Sequence, residues 1–271
     1  MMKTKPAWLR KQLPFYLVAS LLALVFLLPL VWMVVYSLRT PGLPPPRGLE
    51  WLPRPLSWGN YRTLFEILPF GRYLLNSVVV TGLGVTLTLL SASLAGFGMA
   101  QLNRANRRRL LVLSIGLLMI PITSLWLTRF LLFAWLKWTD TYLALLAPAF
   151  MGSSPFFILL FYWAFRRLPE GLIEAARLEG ASLLTAWRRV GLPLVRPTTG
   201  VVAVLTFILY WNDFINPLLY LKSQPMFTLA VGLQQLQQLD RTNWPILLAG
   251  SLVMTLPLIG LFILIQRQMR G

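Results

Sequence analysis

Charged side chains are absent from residues 13–38, 73–103, 110–128, 141–165, 197–212 and 242–266, and each stretch is strongly apolar. A helix needs about 20 such residues to cross a bilayer. The fifth stretch is interrupted by Asp213 and resumes over 214–221, so it too is long enough to span. The pattern predicts an all-α, polytopic membrane protein with six transmembrane helices, at about 13–38, 73–101, 110–128, 141–165, 197–221 and 245–266. Residues 1–12 form a short segment before the membrane domain of 13–271. The first apolar run is longer than the core of a signal peptide and lacks a small-x-small cleavage pattern, so it is expected to remain as a helix.

The polar segments between the runs carry the topology. Lys3, Lys5, Arg10 and Lys11 precede the first helix; Arg104, Arg107, Arg108 and Arg109 follow the second. Arg166, Arg167, Arg177, Arg188, Arg189 and Arg196 follow the fourth, and Arg267 and Arg270 follow the sixth. These segments alternate with less basic ones, so the positive-inside rule puts both termini in the cytoplasm. The segment 39–72 holds Pro41, Pro44, Pro45, Pro46, Pro53 and Pro55, with Glu50 and Glu66 among its arginines, and reads as an extended connection. The segment 130–140, with Trp135, Lys137 and Trp138, is expected to be an interfacial helix. Gly82, Gly84, Gly96 and Gly98 favour close packing of the second helix.

Composition agrees with the pattern. Of 271 residues, 57% are hydrophobic and 12% charged, whereas soluble domains carry about 25% charged residues. The net charge of +17 sits between apolar runs, which points to topology and a membrane lipid surface rather than nucleic acid; Arg107–Arg109 suit a lipid-headgroup anchor. There is no Cys and no His, so the common metal ligands and the usual general base are missing and no metal is expected. None of the lysines follows a glycine, so the chain has no phosphate-binding P-loop. No enzymatic activity is expected of it.

The segment 166–196 is the most informative. Pro169 suits a first helical turn, Glu170 and Glu174 suit the positive end of a helix, and Gly180 suits the left-handed position after one. Ser182 can cap a second helix, along which Leu183, Trp187 and Val190 form one apolar stripe until Pro193 stops it. The prediction is a helical hairpin outside the membrane, with a knob of small residues, Ala175 and Ala176, offered to a partner.

This segment resembles the signature of permease subunits of binding-protein-dependent ABC importers: Glu174-Ala175-Ala176, three residues, Gly180, nine residues, Val190, one residue, Leu192-Pro193. Val190 stands where the family usually has Ile, and Glu179 where carbohydrate members usually have Asp. Further likeness to the carbohydrate group, and to the second permease subunit of maltose-type systems, lies in Pro29-Leu30-Val31-Trp32, Asn60-Tyr61, the segments 69–77 and 94–100, Trp211-Asn212-Asp213-Phe214, Asn216-Pro217-Leu218, and 227–233, which resembles the loop after the fifth helix.

The resemblance implies a type I importer permease fold in a bacterial or archaeal inner membrane. It also implies a pore shared with a second permease subunit, a cytoplasmic ABC ATPase dimer holding ATP and Mg, and an external sugar-binding protein. Glu174, Ala175, Ala176, Gly180, Leu192 and Pro193 would couple to the ATPase, and the chain would bind no cofactor itself.

Asp213 is the one acid within a predicted span, and an intramembrane carboxylate is a functional candidate. With Asn76, Tyr210, Trp211, Asn212 and Asn216 it offers the hydrogen-bonding and stacking groups of a sugar path. The other reading is that Asp213 caps or pairs within the bundle. An ion-coupled secondary carrier is the alternative function, but carriers of that kind usually show internal repeats and several intramembrane charges. A membrane scaffold would not need the spacing of the 166–196 signature.

Overall fold

A computed structural model describes residues 7–42, 53–169, 171–239 and 243–269, with side chains from residue 14 to residue 263. Lys3, Lys5, Arg47, Glu50, Glu170, Arg241 and Arg270, with Pro44 to Pro46 and the side chains of Arg10, Lys11 and Arg267, lie outside the described residues. Among the described residues the secondary structure is entirely helical. Four helical segments are long and apolar enough to cross a membrane, and six are if two sharply bent pairs each count as one span. The expected all-α membrane architecture is therefore present.

The chain divides into two compact units, residues 1–68 with 233–256, and residues 69–232 with 257–271. In the first, α1 (Ala7–Ser37) is apolar on all sides beyond Gln12, and Phe15 and Phe26 are exposed, as on a helix facing lipid or another subunit. Trp32 stacks on Tyr36, with ring centroids 4.3 Å apart. The expected extended connection contains a helix, α2 (Gly59–Ile67). Asn60 at its start donates to the carbonyls of Ser37 and Arg39, both at 2.7 Å, and the Tyr61 hydroxyl lies 2.8 Å from that of Ser37. Leu64 is fully buried. A nine-residue helix between prolines carries too few apolar repeats to stand out in the sequence.

The second unit is built around α3 (Phe70–Gln101), which packs along α7 (Pro155–Arg166), α11 (Arg196–Trp211) and α6 (Tyr142–Phe150). Two of its glycines set the distances. A Cβ on Gly96 would stand 2.7–2.9 Å from Phe161 Cβ, the Tyr162 N–H and the Ile158 carbonyl, and one on Gly84 would strike the Tyr210 ring. Gly82 and Gly98 face open space, so only half of the glycine set serves packing.

The predicted spans differ from the structure mostly in their breaks. The third is expected as one helix over 110–128. Instead α4 (Arg104–Leu118), capped by Asn103 accepting from the Asn106 N–H at 2.9 Å, gives way to a segment bent by 89° that contains α5 (Trp126–Trp135). Pro121 has no N–H to continue the ladder, and its backbone is extended. The expected interfacial helix over 130–140 thus ends at Trp135, and Lys137 and Asp140 take positive φ angles of 57° and 60°. The fourth span is interrupted between α6 and α7 at Gly152 and Ser153, with φ angles of 77° and 56°. The fifth breaks after α11 and resumes as α12 (Ile215–Tyr220). The segment at 227–233, likened to a loop, enters helix α13 (Leu229–Leu239). The last span is α14 (Trp244–Met269).

Candidate functional site

The hairpin is built as the sequence predicts, with three corrections. Its first helix, α8, runs over Leu172–Leu178 behind Gly171, which has φ of 83°. Pro169 therefore precedes the helix rather than opening it. The helix ends in a doubly bonded turn: Gly180 donates its N–H to the Arg177 carbonyl and Ala181 to the Ala176 carbonyl, both at 3.0 Å. This closure requires a left-handed residue, and Gly180 supplies it at φ of 87°.

Ser182 then accepts from the Thr185 N–H at 3.2 Å and starts α9 (Leu183–Ala186). Pro193 does not stop this helix. The chain widens into a π turn over Trp187–Gly191 and continues through α10 (Leu192–Leu194) before bending by 85° into α11. A proline ring clashes with the carbonyl four residues back in an α-helix, and the wider turn relieves that clash.

The expected stripe is only partly buried. Trp187 and Ala186 sink into a cluster with Phe97, Phe161 and Phe165, with Gly191 against Phe165 and Phe97. Leu183 stays exposed and Val190 is half-buried. Ala176 and Ile173 pack on the same cluster, so one side of α8 is anchored. The opposite side presents Glu174, Ala175 and Gly180 to solvent, and Leu178 is 90% exposed. Leu192 and Pro193 are half-buried at the hairpin's base. A rigid turn on an aromatic footing, with a bare leucine and small residues at its tip, is suited to docking and contains no reactive group.

A second feature lies where the breaks of the fourth and fifth spans meet α3. The Ser91 hydroxyl donates to the Ala149 carbonyl at 2.5 Å and accepts from the Gly152 N–H at 3.1 Å. The Thr88 hydroxyl lies 2.5 Å from that of Ser153, which lies 3.0 Å from that of Tyr210. These bonds satisfy backbone and hydroxyl groups freed by the helix break, as a membrane interior demands. Beside them opens a cavity of about 120 Å³, lined among others by Arg129, Ser153, Tyr210, Asp213, Asn216 and Tyr220.

Asp213 follows the break after α11. Its carboxylate accepts from the Asn216 amide at 3.0 and 2.8 Å and from the Asn216 N–H at 3.2 Å. It therefore braces the start of α12 while also lining the cavity.

Tyr210, Asp213 and Asn216 are thus brought together, and the other three candidates are not among the lining residues. Asn76 is buried and donates to the carbonyls of Pro225 and Phe227, both at 2.9 Å. The Asn212 amide donates to the Ile208 carbonyl of its own helix at 3.1 Å. Trp211 is buried and stacked on Phe207. Sequence reasoning missed Arg129, Ser153 and Tyr220. Arg129 stands one residue past the charge-free run 110–128, a position at the edge of a span that could have exposed it.

Helical hairpin, broken spans and long central helix are those of an importer's membrane component. The family described as binding-protein-dependent transport system inner membrane component matches residues 84–270, and the chain belongs to this family. It is a transport permease rather than an enzyme. Among its relatives, the arabinooligosaccharides transport system permease protein AraQ of Halalkalibacterium halodurans is 32% identical over 92% of this chain and 89% of that protein. The trehalose/maltose transport system permease protein MalG of Thermococcus litoralis is also 32% identical, over 92% of this chain and 90% of its own. The fold is shared with a chain of a bacterial ABC transporter involved in the import of the acidic polysaccharide alginate, with a TM-score of 0.75 at 20% identity, covering 97% of this chain and 99% of that one.

Proposed function

We propose that this chain is one of two permease subunits of an ATP-driven sugar importer of the inner membrane. The hairpin 166–196 docks on a cytoplasmic ABC ATPase through Glu174, Ala175 and Gly180, while Ala176, expected in the contact, is turned onto the aromatic cluster and with Leu192 and Pro193 fixes the hairpin to the membrane helices. ATP and Mg are held by the ATPase dimer, and this chain binds neither. An external binding protein delivers the sugar, and both termini lie in the cytoplasm. Tyr210, Asp213 and Asn216 belong to the sugar pathway, whereas Asn76, Trp211 and Asn212, engaged elsewhere in the fold, serve to hold the helices.

The observation that carries this reading is the exposed tip on a buried footing. A turn that packed only on its own subunit would not leave Leu178 90% exposed. Chemistry supports the same division of labour: without a P-loop the chain cannot energise itself, so movement has to be transmitted to it through a contact. Affinity purification of the tagged chain in mild detergent tests this. An ABC ATPase and a second permease are expected in near-equal amounts. Recovery of the folded chain without an ATPase would sink the importer reading in favour of the ion-coupled carrier.

A further inference from the structure

Tyr220 lines the cavity beside the fifth span's break. Tyr220 is 1% exposed, and its hydroxyl has no hydrogen-bond partner among the described residues. A buried, unpaired hydroxyl costs about 1–3 kcal/mol, a cost that a bound ligand hydroxyl would relieve. The same wall carries Arg129, half-buried and without a hydrogen bond or ion pair among the described residues. The space is also lined by Asp213, whose three bonds from Asn216 leave one acceptor position open, on Oδ2.

We propose that this cavity is a low-affinity subsite for one neutral, hydroxyl-rich unit of the transported solute, held by Arg129, Asp213, Tyr220 and Asn216 of this subunit. The inference rests on the sugar-import reading above. Three properties decide the ligand class. One cation and one anion line the space, so a neutral ligand leaves the charges balanced, whereas an acidic sugar would bring a net negative charge into it. Sugar hydroxyls both donate and accept, which suits a carboxylate, a guanidinium and a phenol at once. The volume of about 120 Å³ is close to that of an engineered cavity that holds one benzene ring, so it admits one ring or part of one, with the remainder of a longer solute extending through the mouth. Phe133 and Tyr210 in the lining give apolar faces for the sugar's C–H side.

The test uses the absence of cysteine. Leu209→Cys puts a thiol on the cavity lining in an otherwise Cys-free subunit, and labelling by a methanethiosulfonate is followed in the purified complex. Maltose, trehalose, arabinotriose and glucuronate serve as probes, and transport of each is measured in liposomes carrying the complex and its binding protein. A neutral sugar that the complex transports is expected to slow labelling at millimolar concentration, and glucuronate is not. Adding Tyr220→Phe or Arg129→Gln is expected to raise the half-protecting concentration about threefold to tenfold, the loss of one hydrogen bond. Tyr220→Phe also removes the orphan hydroxyl, so a merely structural tyrosine would give equal or higher thermal stability with unchanged protection.

Unchanged protection in both variants, no protection by a transported sugar, or equal protection by glucuronate would overturn the subsite while leaving import intact. Transport of none of the neutral sugars by an assembled, ATP-hydrolysing complex would overturn the sugar reading and the subsite with it.

Discussion

At Gly180 two costs that usually act together are separated. The residue sits at φ of 87°, and a Cβ built on it meets nothing within 4 Å. A side chain there therefore disturbs no neighbour within the chain, and the left-handed backbone costs roughly 1–2 kcal/mol for an ordinary residue. Asn tolerates that backbone better than most. Gly180→Asp and Gly180→Asn should both insert and assemble with the second permease. Gly180→Asp is expected to abolish uptake, because its side chain and charge enter the docking surface, and Gly180→Asn to lower it by roughly tenfold or more. Wild-type uptake by Gly180→Asp would remove Gly180 from the coupling contact. The glycine was legible in the sequence through its spacing from Glu174 and Pro193. The cavity residues Ser153 and Tyr220 were not, because their importance comes from a helix break that brings them beside Tyr210, and no periodicity marks such an encounter.

Helices and their interruptions form the next scale. Apolar runs located the spans because burial in lipid constrains every side chain at once, whereas their breaks depend on single residues. Pro121 turns the third span by 89°, and Pro193 is absorbed by a π turn without ending its helix; the same residue type gives opposite outcomes, and only the surrounding packing decides. A third device joins two spans. The Asp140 carboxylate accepts from the N–H groups of Lys222 and Ser223 at 2.9 and 2.8 Å and from the Ser223 hydroxyl, while its own N–H donates to the Tyr220 carbonyl at 2.7 Å. The Ser223 hydroxyl first, then the two backbone donors, hold this carboxyl below the ordinary aspartate range. A depressed carboxylate stabilises the fold above its unfolded value, about 3.9, and the benefit fades as pH falls through the lower folded value. Asp140→Asn should lower the melting temperature in detergent at pH 7, by roughly 1–2 °C because the group is partly exposed. The difference from wild type should begin to shrink below about pH 4 and close only as pH falls through the lowered folded value. A gap that widens on acidification would contradict the clip.

For the molecule as a whole, the proposed topology places the hairpin and the Asp140 clip on opposite sides of the membrane. The charge pattern that sets this was readable in the sequence because arginines in short loops act by position alone. Single cysteines test it against the Cys-free background. Gln224→Cys should react with a membrane-impermeant maleimide in intact spheroplasts, and Ala175→Cys only after lysis. The opposite pattern would invert the topology and leave the hairpin unable to meet a cytoplasmic ATPase.

The bare leucine at the hairpin's tip has a consequence for synthesis. A copy that has found no partner leaves Leu178, Leu183 and Leu184 exposed, bare apolar surface of the kind that chaperones and proteases act on. Its lifetime then depends on how soon a companion arrives, so subunit stoichiometry can be set by clearance of the surplus and not by expression alone.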